Sequence, residues 1–336
     1  MPSLTRRAIG AAAFAALLAT PAAAQDNLKI GYLTLVSHAP SFIAAERGYF
    51  AEAGIAPEMV GFQAAQPMAV AIASRDVDVG VTAISAGLIS LADRDVIRVI
   101  GGALAEQADV EGQKILVSRA AYEDGVRTTA DLAGRSFGLT TAGSSFHYMA
   151  HKIADGAGFD RGSLRFVPMQ QVPAVVAALR SGQIDAWSIV PNIASGLVAS
   201  GDVVEIGSIA DYIDGYQVTT VFTSRANIAE RRDLIERFLE AFARGAADYN
   251  AALVDGTMSE AETDEIIAAI HRYVFTDQPI ETAAPRIRAG AMRINDDARL
   301  NLASVADQLE WFQSENLVPA SVTLEMLVDT SFVETE

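Results

Sequence analysis

The chemistry open to this chain rests on small and polar side chains placed at turns between apolar runs. Gly143-Ser144-Ser145 lies between a strand-like run and a helix whose apolar face is Met149, Ile153 and Ala157. Backbone N–H groups and two hydroxyls are thus presented at a helix start, where an anion binds. A serine there can equally serve as a helix cap. Ser37 and His38 occupy the first strand-to-helix turn, and open parallel sheets receive ligands outside the carboxyl ends of their strands. His38 can donate to a carboxylate or sulfonate; its ordinary alternative is a surface residue ahead of the helix. Gln63, within Phe62 to Met68, and Thr82, within Thr82-Ala83-Ile84-Ser85, mark the next two turns. Their amides and small side chains suit a compact ligand. Tyr216 and Gln217 stand just before the strand-like run Val218 to Ser224, where they could reach a ligand or pack between two halves of the molecule.

These groups do not assemble into a catalytic or metal set. A lone His38 supports neither a metal nor acid–base chemistry. His147 and His151 fall at i and i+4 on a helix, a spacing open to zinc. The intervening Glu of a His-Glu-x-x-His motif is missing and Tyr148 follows His147, so a packed or solvated helix face is the expectation. Asp76 and Asp78 are alternate residues of a strand and point to opposite faces. Trp187, flanked by Ile184 and Ile189, reads as core rather than as a stacking platform. No catalytic residue, metal ligand or cofactor is expected.

The elements that must position these turns follow from periodicity. From Leu28 the chain alternates Leu28 to Leu33, Ser41 to Ala53, Ile55 to Phe62, Pro67 to Ser74, Val77 to Thr82, Ser85 to Asp93 and Val96 to Ala103, the β-α-β rhythm of a parallel sheet wrapped by helices. A second series has strands near Ser136 to Thr140, Leu164 to Pro168, Ile184 to Ile189 and Val203 to Gly207, with helices near Ser145 to Ala157, Val172 to Ser181 and Asn192 to Ser200. An internal echo ties the two together. Ala53-Gly54-Ile55 leads through Gln66-Pro67 to Ala71 through Asp78, and Ala157-Gly158-Phe159 leads through Val172-Pro173 to Ala178 through Asp185. Helix, turn and Asp-bearing strand recur in one order, which predicts two similar lobes. Lys114 to Ser118 and Val218 to Ser224 flank the second series, where the chain would leave the first lobe and return, and two crossings make a hinge. From Asn227 onward the pattern is almost wholly helical. Leu234, Ile235, Phe238, Leu239 and Phe242 recur at the spacing of a buried helix face.

Composition bounds what such a molecule can do. The 336 residues are 51% hydrophobic and 20% charged, enough apolar mass for packed cores and long enough for two domains. With 42 acidic against 25 basic residues the formal charge is −17, which makes nucleic acid and anionic membranes poor partners. Cysteine is absent, which removes disulfides, thiol catalysis, thiolate zinc sites and a lipid-anchored N-terminal cysteine. Arg6 and Arg7, the apolar run Ala8 to Ala19 and Ala22-Ala23-Ala24 follow the order of a secretory signal. The run is too short for a bilayer span of about 20 residues. Cleavage before Gln25 and release into the periplasm are expected, by the general secretory route or, second, by the twin-arginine route.

The residues resemble the substrate-binding proteins of ABC importers, specifically the nitrate, taurine, alkanesulfonate and thiamine-precursor group. The likeness is carried by Ile30-Gly31-Tyr32, Glu46 through Ile55, Phe62 to Met68 and Ile72 through Gly80. Asp131 through Arg135, Gly143-Ser144-Ser145-Phe146-His147-Tyr148 and Ser181 through Trp187 continue it, over most of residues 28 to 245. The resemblance implies an α/β, two-lobed periplasmic-binding-protein fold of type II, each lobe a mostly parallel sheet flanked by helices, with a two-strand hinge. Lobe 1 would be 25–114 plus 225–336 and lobe 2 would be 115–224. It also implies a monomer that captures a small-molecule ligand in the inter-lobe cleft and delivers it to a membrane permease. Ser37, His38, Gln63, Thr82, Gly143, Ser144, Ser145, Phe146, Asn192, Tyr216 and Gln217 are the expected ligand contacts. Where the family often has an Asp-Pro pair facing the cleft, this chain has Val190-Pro191-Asn192. A buried ammonium needs an anionic partner, so taurine-like zwitterions are disfavoured and a sulfonate or carboxylate is expected. A pyrimidine-type ligand, or an enzyme of pyrimidine or menaquinone precursor synthesis on the same fold, is the alternative.

Overall fold

The computed structural model describes residues 25–335. The expected export signal, residues 1–24, lies outside them. Ten strands are distributed over two five-stranded sheets. The first half supplies β1 (Asp26–Leu33), β2 (Ile55–Phe62), β3 (Val79–Thr82) and β4 (Ile97–Gly102). The second half supplies β5 (Lys114–Ser118), β6 (Ser136–Leu139), β7 (Arg165–Pro168), β8 (Ala186–Ile189) and β9 (Val203–Ser208) before β10 (Thr220–Ser224). One sheet runs β2-β1-β3-β10-β4 and the other β7-β6-β8-β5-β9. β1 pairs in parallel with β2 and β3, as β6 does with β7 and β8. β10 is antiparallel to β3 and β4, and β5 is antiparallel to β8 and β9. The internal echo is therefore a structural one. Taken as repeats β1–β5 and β6–β10, the first four strands of each repeat build one sheet and the fifth, β5 or β10, inserts antiparallel into the sheet of the other repeat.

The elements agree with the periodicity and depart from it where a local residue intervenes. Leu28 and Ile30 of β1 are fully buried, as are all four residues of β3, the signature of strands covered on both faces. The single helix expected over Ser41 to Ala53 is two helices, Ala39–Glu46 and Tyr49–Glu52. Gly48 stands between them at φ 78°, a left-handed conformation that glycine adopts without steric cost and that a continuous helix cannot contain. The long helix Arg232–Tyr249 covers the first sheet with Phe238 and Phe242 fully buried and Phe238 stacked on Phe50 at 5.6 Å.

Two features depart from the lobe boundaries drawn from sequence. Thr220–Ser224 pairs within the first sheet, so the return to that sheet precedes residue 225. The helix Leu302–Ser314 in the C-terminal tail is held by the second half. Tyr148 and Lys152 both donate to the Asp307 carboxylate, and Arg161 pairs with Glu315 at 2.6 Å. The same helix is anchored to the return crossing, where the Gln217 N–H donates to Ser304 Oγ and Gln308 Nε2 donates to the Gln217 carbonyl. No helix among the described residues is long and apolar enough to cross a membrane.

Candidate functional site

The strand-to-helix turns of both sheets converge on an enclosed cavity of about 60 Å³. Ser37 and His38 reach it because β1 ends at Leu33 and the chain turns through a short 3-10 segment, Val36–His38, before the helix Ala39–Glu46. Thr82 comes from the end of β3, and Ser144, Ser145 and Phe146 from the opening of the helix Ser145–Ala157 on the opposite side. The remaining wall is largely apolar, with Leu33, Leu104, Val172, Ile189 and Val218 among its residues. It carries no Asp, Glu, Lys or Arg.

The polar atoms of this wall are unfinished. Ser37 Oγ, His38 Nε2 and Ser144 Oγ are buried without a hydrogen-bond partner among the described residues. A buried polar atom left unpaired costs about 1–3 kcal/mol, and three of them around one cavity leave hydrogen-bonding groups open to a bound molecule or an ordered water. The His38 tautomer follows from its surroundings. Its Nδ1 accepts the Leu33 N–H at 3.4 Å, which leaves the proton on Nε2, facing the cavity as a donor. Complete burial pushes its pKa down to about 3, so the ring is neutral. Across the cavity, the first-turn amides of Ser145 and Phe146 have no acceptor within their own helix and the positive end of the helix dipole lies beside them. The cleft thus offers neutral donors to one small acceptor group.

The other expected contacts sit elsewhere. Gln63 lies outside the enclosed cavity, on the cleft's outer pocket, and its carbonyl accepts the Val172 N–H at 3.2 Å, a bond between the two halves. Gly143 has its N–H committed to His147 Nδ1 at 3.2 Å and its carbonyl to the Ala86 N–H at 2.9 Å. It is a contact between halves rather than an anion donor. Asn192 is buried with both amide atoms unpaired, and its Cβ faces Gly290; it stands next to the cavity without lining it. Tyr216 is fully buried with an unpaired hydroxyl and packs against Tyr148 with ring centroids 5.2 Å apart. Gln217 has no group left for a ligand. Its Nε2 donates to the Leu104 and Thr219 carbonyls and to Asn295 Oδ1, and its Oε1 accepts the Asn301 N–H. An amide beside a backbone crossing is recruited by the carbonyls that the crossing leaves open, which is why Gln217 is not a ligand contact. His147 and His151 form a packed aromatic group with Phe166 and Trp311, and no cluster of three or more metal-ligating side chains occurs among the described residues.

Sequence reasoning passed over Gln113, Thr140 and Thr219, which also line the cavity. Gln113 closes the first crossing and is held by Glu106, whose carboxylate accepts both its N–H at 3.0 Å and its Nε2 at 3.2 Å. Glu106 is completely buried, and desolvation raises its pKa to about 7 against the opposing pull of the Gln113 donors. Nothing in the local pattern marks these residues. Only the swapped strands bring residues 106, 113 and 219 under the turns that the pattern does reveal.

Two mostly parallel sheets joined by a double crossing and closed over a polar-tipped cavity define the two-lobed periplasmic-binding-protein fold. A family model described as NMT1/THI5 like matches residues 36–252, more than half of the chain, and the protein belongs to that family. A search of curated proteins found no match. Among solved structures it is similar to the alkanesulfonate-binding protein SsuA from Xanthomonas axonopodis pv. citri bound to MOPS, at 18% identity and a TM-score of 0.71 over 92% of this chain and 100% of that one. It is also similar to the periplasmic nitrate-binding protein NrtA from Synechocystis PCC 6803, at 13% identity and a TM-score of 0.70 over 90% of this chain and 84% of that one. The desulfurization enzyme DSZB shares the fold as well, at 17% identity and a TM-score of 0.57 over 92% of this chain and 97% of that one. The architecture therefore carries both binding and catalysis, and the site must decide between them.

Proposed function

We propose that this protein is the ligand-capturing component of an ABC-type importer, working as a monomer in the periplasm after export. It closes its lobes on a small organic anion, a sulfonate or carboxylate, and delivers it to a membrane permease. The observation that carries this reading is the convergence of Ser37 Oγ, His38 Nε2 and Ser144 Oγ, all buried and unpaired, on one cavity between the two sheets. An acid group accepts from the His38 and serine donors and from the Ser145 and Phe146 amides, and the dipole of the helix Ser145–Ala157 stabilises its charge. The hinge consists of the crossings between β4 and β5 and between β9 and β10, with the lobes on either side. Capture rather than turnover is supported by the wall itself. Its one histidine is neutral and hydrogen-bonded to the backbone, and no carboxylate or lysine stands beside it to complete an acid–base pair.

The absence of charged side chains on the wall also favours a second reading, a neutral heteroaromatic such as a pyrimidine, which the same donors and apolar surfaces would hold. Native mass spectrometry of the exported protein, followed by calorimetric titration with sulfonates, carboxylates and pyrimidines, separates the two. Tight binding of an acid supports the first reading. Binding confined to uncharged heterocycles replaces it with the second. A catalytic conversion of whichever ligand binds would overturn both.

A further inference from the structure

The enclosed cavity is the inner end of a longer cleft. Leu33, Leu35 and Val172 line both it and a larger pocket of about 730 Å³ that opens outward between the halves. The wall of the outer pocket is built from the turn at Gln63, from Ile193, Gly196 and Leu197 of the helix Pro191–Ala199, and from Phe275 to Arg286 in the tail. At its far side stands Arg286. The guanidinium lies over the Phe275 ring at 4.0 Å, Nη1 donates to Gln278 Oε1 at 2.9 Å, and Nε is buried without a partner. Gly196 makes room for it, since a Cβ there would approach Nη2 to 2.9 Å.

Arg286 is unusual in this chain. Acidic residues outnumber basic ones, 42 to 25, and the other arginine of the pocket, Arg180, is satisfied by Asp202 at 2.7 Å. Asp277 lines the same pocket, yet no carboxylate among the described residues stands within ion-pairing distance of the Arg286 guanidinium. A half-buried guanidinium stacked on an aromatic ring, steered by a neutral amide and lacking a counter-charge is built to receive a planar anion.

We propose that the ligand is an elongated diacid. One acid group sits among the neutral donors of the inner cavity, an apolar body passes Leu33, Leu35 and Val172, and a second carboxylate is held by Arg286 and Gln278. This deepens the importer reading and rests on it, because the inner acid site is the one proposed there. The lining explains the division of labour: neutral dipoles suit the enclosed end, where a desolvated fixed charge is costly, and a guanidinium suits the more open end.

The test is calorimetric titration of the purified chain with diacids and monoacids of equal carbon number, adipate against hexanoate and suberate against octanoate, in the wild type and in Arg286→Gln. The wild type should bind a diacid at least about tenfold more tightly than its monoacid, the scale of one charge-assisted hydrogen-bonded contact. Arg286→Gln should abolish that preference and leave monoacid affinity within about twofold. Equal affinity for both acids in the wild type, or an undiminished diacid preference in Arg286→Gln, overturns the diacid inference and leaves the importer reading standing. Failure of every acid, with binding of a pyrimidine, overturns both. The wild-type comparison keeps the inference falsifiable even if the variant does not fold.

Discussion

Asp78 and Asp185 hold the same post in the two halves. The Asp78 carboxylate accepts the backbone N–H of Lys29 in β1 at 2.8 Å, and the Asp185 carboxylate accepts the backbone N–H of Ser136 in β6 at 2.7 Å. The carbonyl of each is met by the strand swapped in from the other half: Thr223 Oγ1 of β10 donates to that of Asp78, and the Ser118 N–H of β5 donates to that of Asp185. The aspartates that betray the repeat in sequence are thus the posts that tie each first strand to its sheet, not cleft residues. Asp185→Ala should lower unfolding free energy by about 1–3 kcal/mol, because it strips acceptors from the partly buried Ser136 N–H and from Ser136 Oγ, while ligand affinity stays within a factor of two. Denaturant unfolding and titration of the same preparation check both halves of this expectation. A loss of affinity without a loss of stability would place Asp185 in the site.

A second correspondence predicts a gain. Ser74 and Ser181 end matching helices with nearly the same backbone, φ −83° and −82°. The next residue is left-handed in both halves, Arg75 at φ 66° and Gly182 at φ 72°. Arginine bears a steric cost there that glycine does not. The Arg75 pairing with Glu230 is long, at 3.8 Å, and exposed on both sides, so it returns little. Arg75→Gly should stabilise the fold by about 0.5–1 kcal/mol after allowing for the greater freedom of glycine in the unfolded chain. Thermal unfolding reads this directly. Destabilisation would mean that the ion pair outweighs the backbone cost.

Stability should also fall on mild acidification, with a traceable origin. Burial pushes the His38 pKa down to about 3, and burial together with neighbouring His151 pushes that of His147 down to about 4. The unfolded chain binds protons at these positions near pH 6.5, so between that pH and the folded values the unfolded state holds more protons and stability rises with pH. Their contribution is intact above about pH 6.5 and is lost as pH falls toward 4. Glu106 acts in the opposite sense. Its raised value of about 7 means that the folded state holds the extra proton between about pH 4.5 and 7, so its contribution declines as pH rises through that window. Denaturation curves from pH 4 to 8 should show a shallower acid limb in His38→Gln and a flatter neutral region in Glu106→Gln. An unchanged pH profile in both variants would contradict the assignment.

The contrast between these residues explains what could be read beforehand. Strand and helix positions were legible because the repeated alternation of β-rich and amphipathic runs is local. That Ser37, His38, Thr82 and Ser144 line the cavity was legible because a turn after a parallel strand opens at the carboxyl edge of its sheet. Gln113 and Thr219 were not, since the exchange of β5 and β10 between sheets brings them to the cavity across long stretches of chain, and Glu106 stands behind Gln113 rather than on the wall. Gln217 looked like a contact for the same reason: its neighbours Leu104, Asn295 and Asn301 are distant in sequence, and they consume its amide.

The serine loop makes a last and sharper distinction. Gly143 holds φ 72°, and a Cβ added there would lie 2.6 Å from Ala86 Cβ, at the start of a helix of the first half whose N–H already bonds to the Gly143 carbonyl. A side chain at this position meets the opposing half of the molecule before it meets any ligand. Gly143→Val should therefore hold the lobes apart and abolish tight binding of any cleft ligand. Ser144→Ala removes one unpaired hydroxyl from the cavity wall and should weaken binding by about 1 kcal/mol, roughly fivefold, while closure proceeds. Small-angle scattering at saturating ligand distinguishes the two effects: the alanine variant compacts like the wild type, and the valine variant retains its unliganded radius of gyration. Because the left-handed backbone is itself unfavourable for valine, circular dichroism must first show native helix content. A folded Gly143→Val protein that compacts on ligand addition would show that the Gly143–Ala86 contact is not part of the closed state.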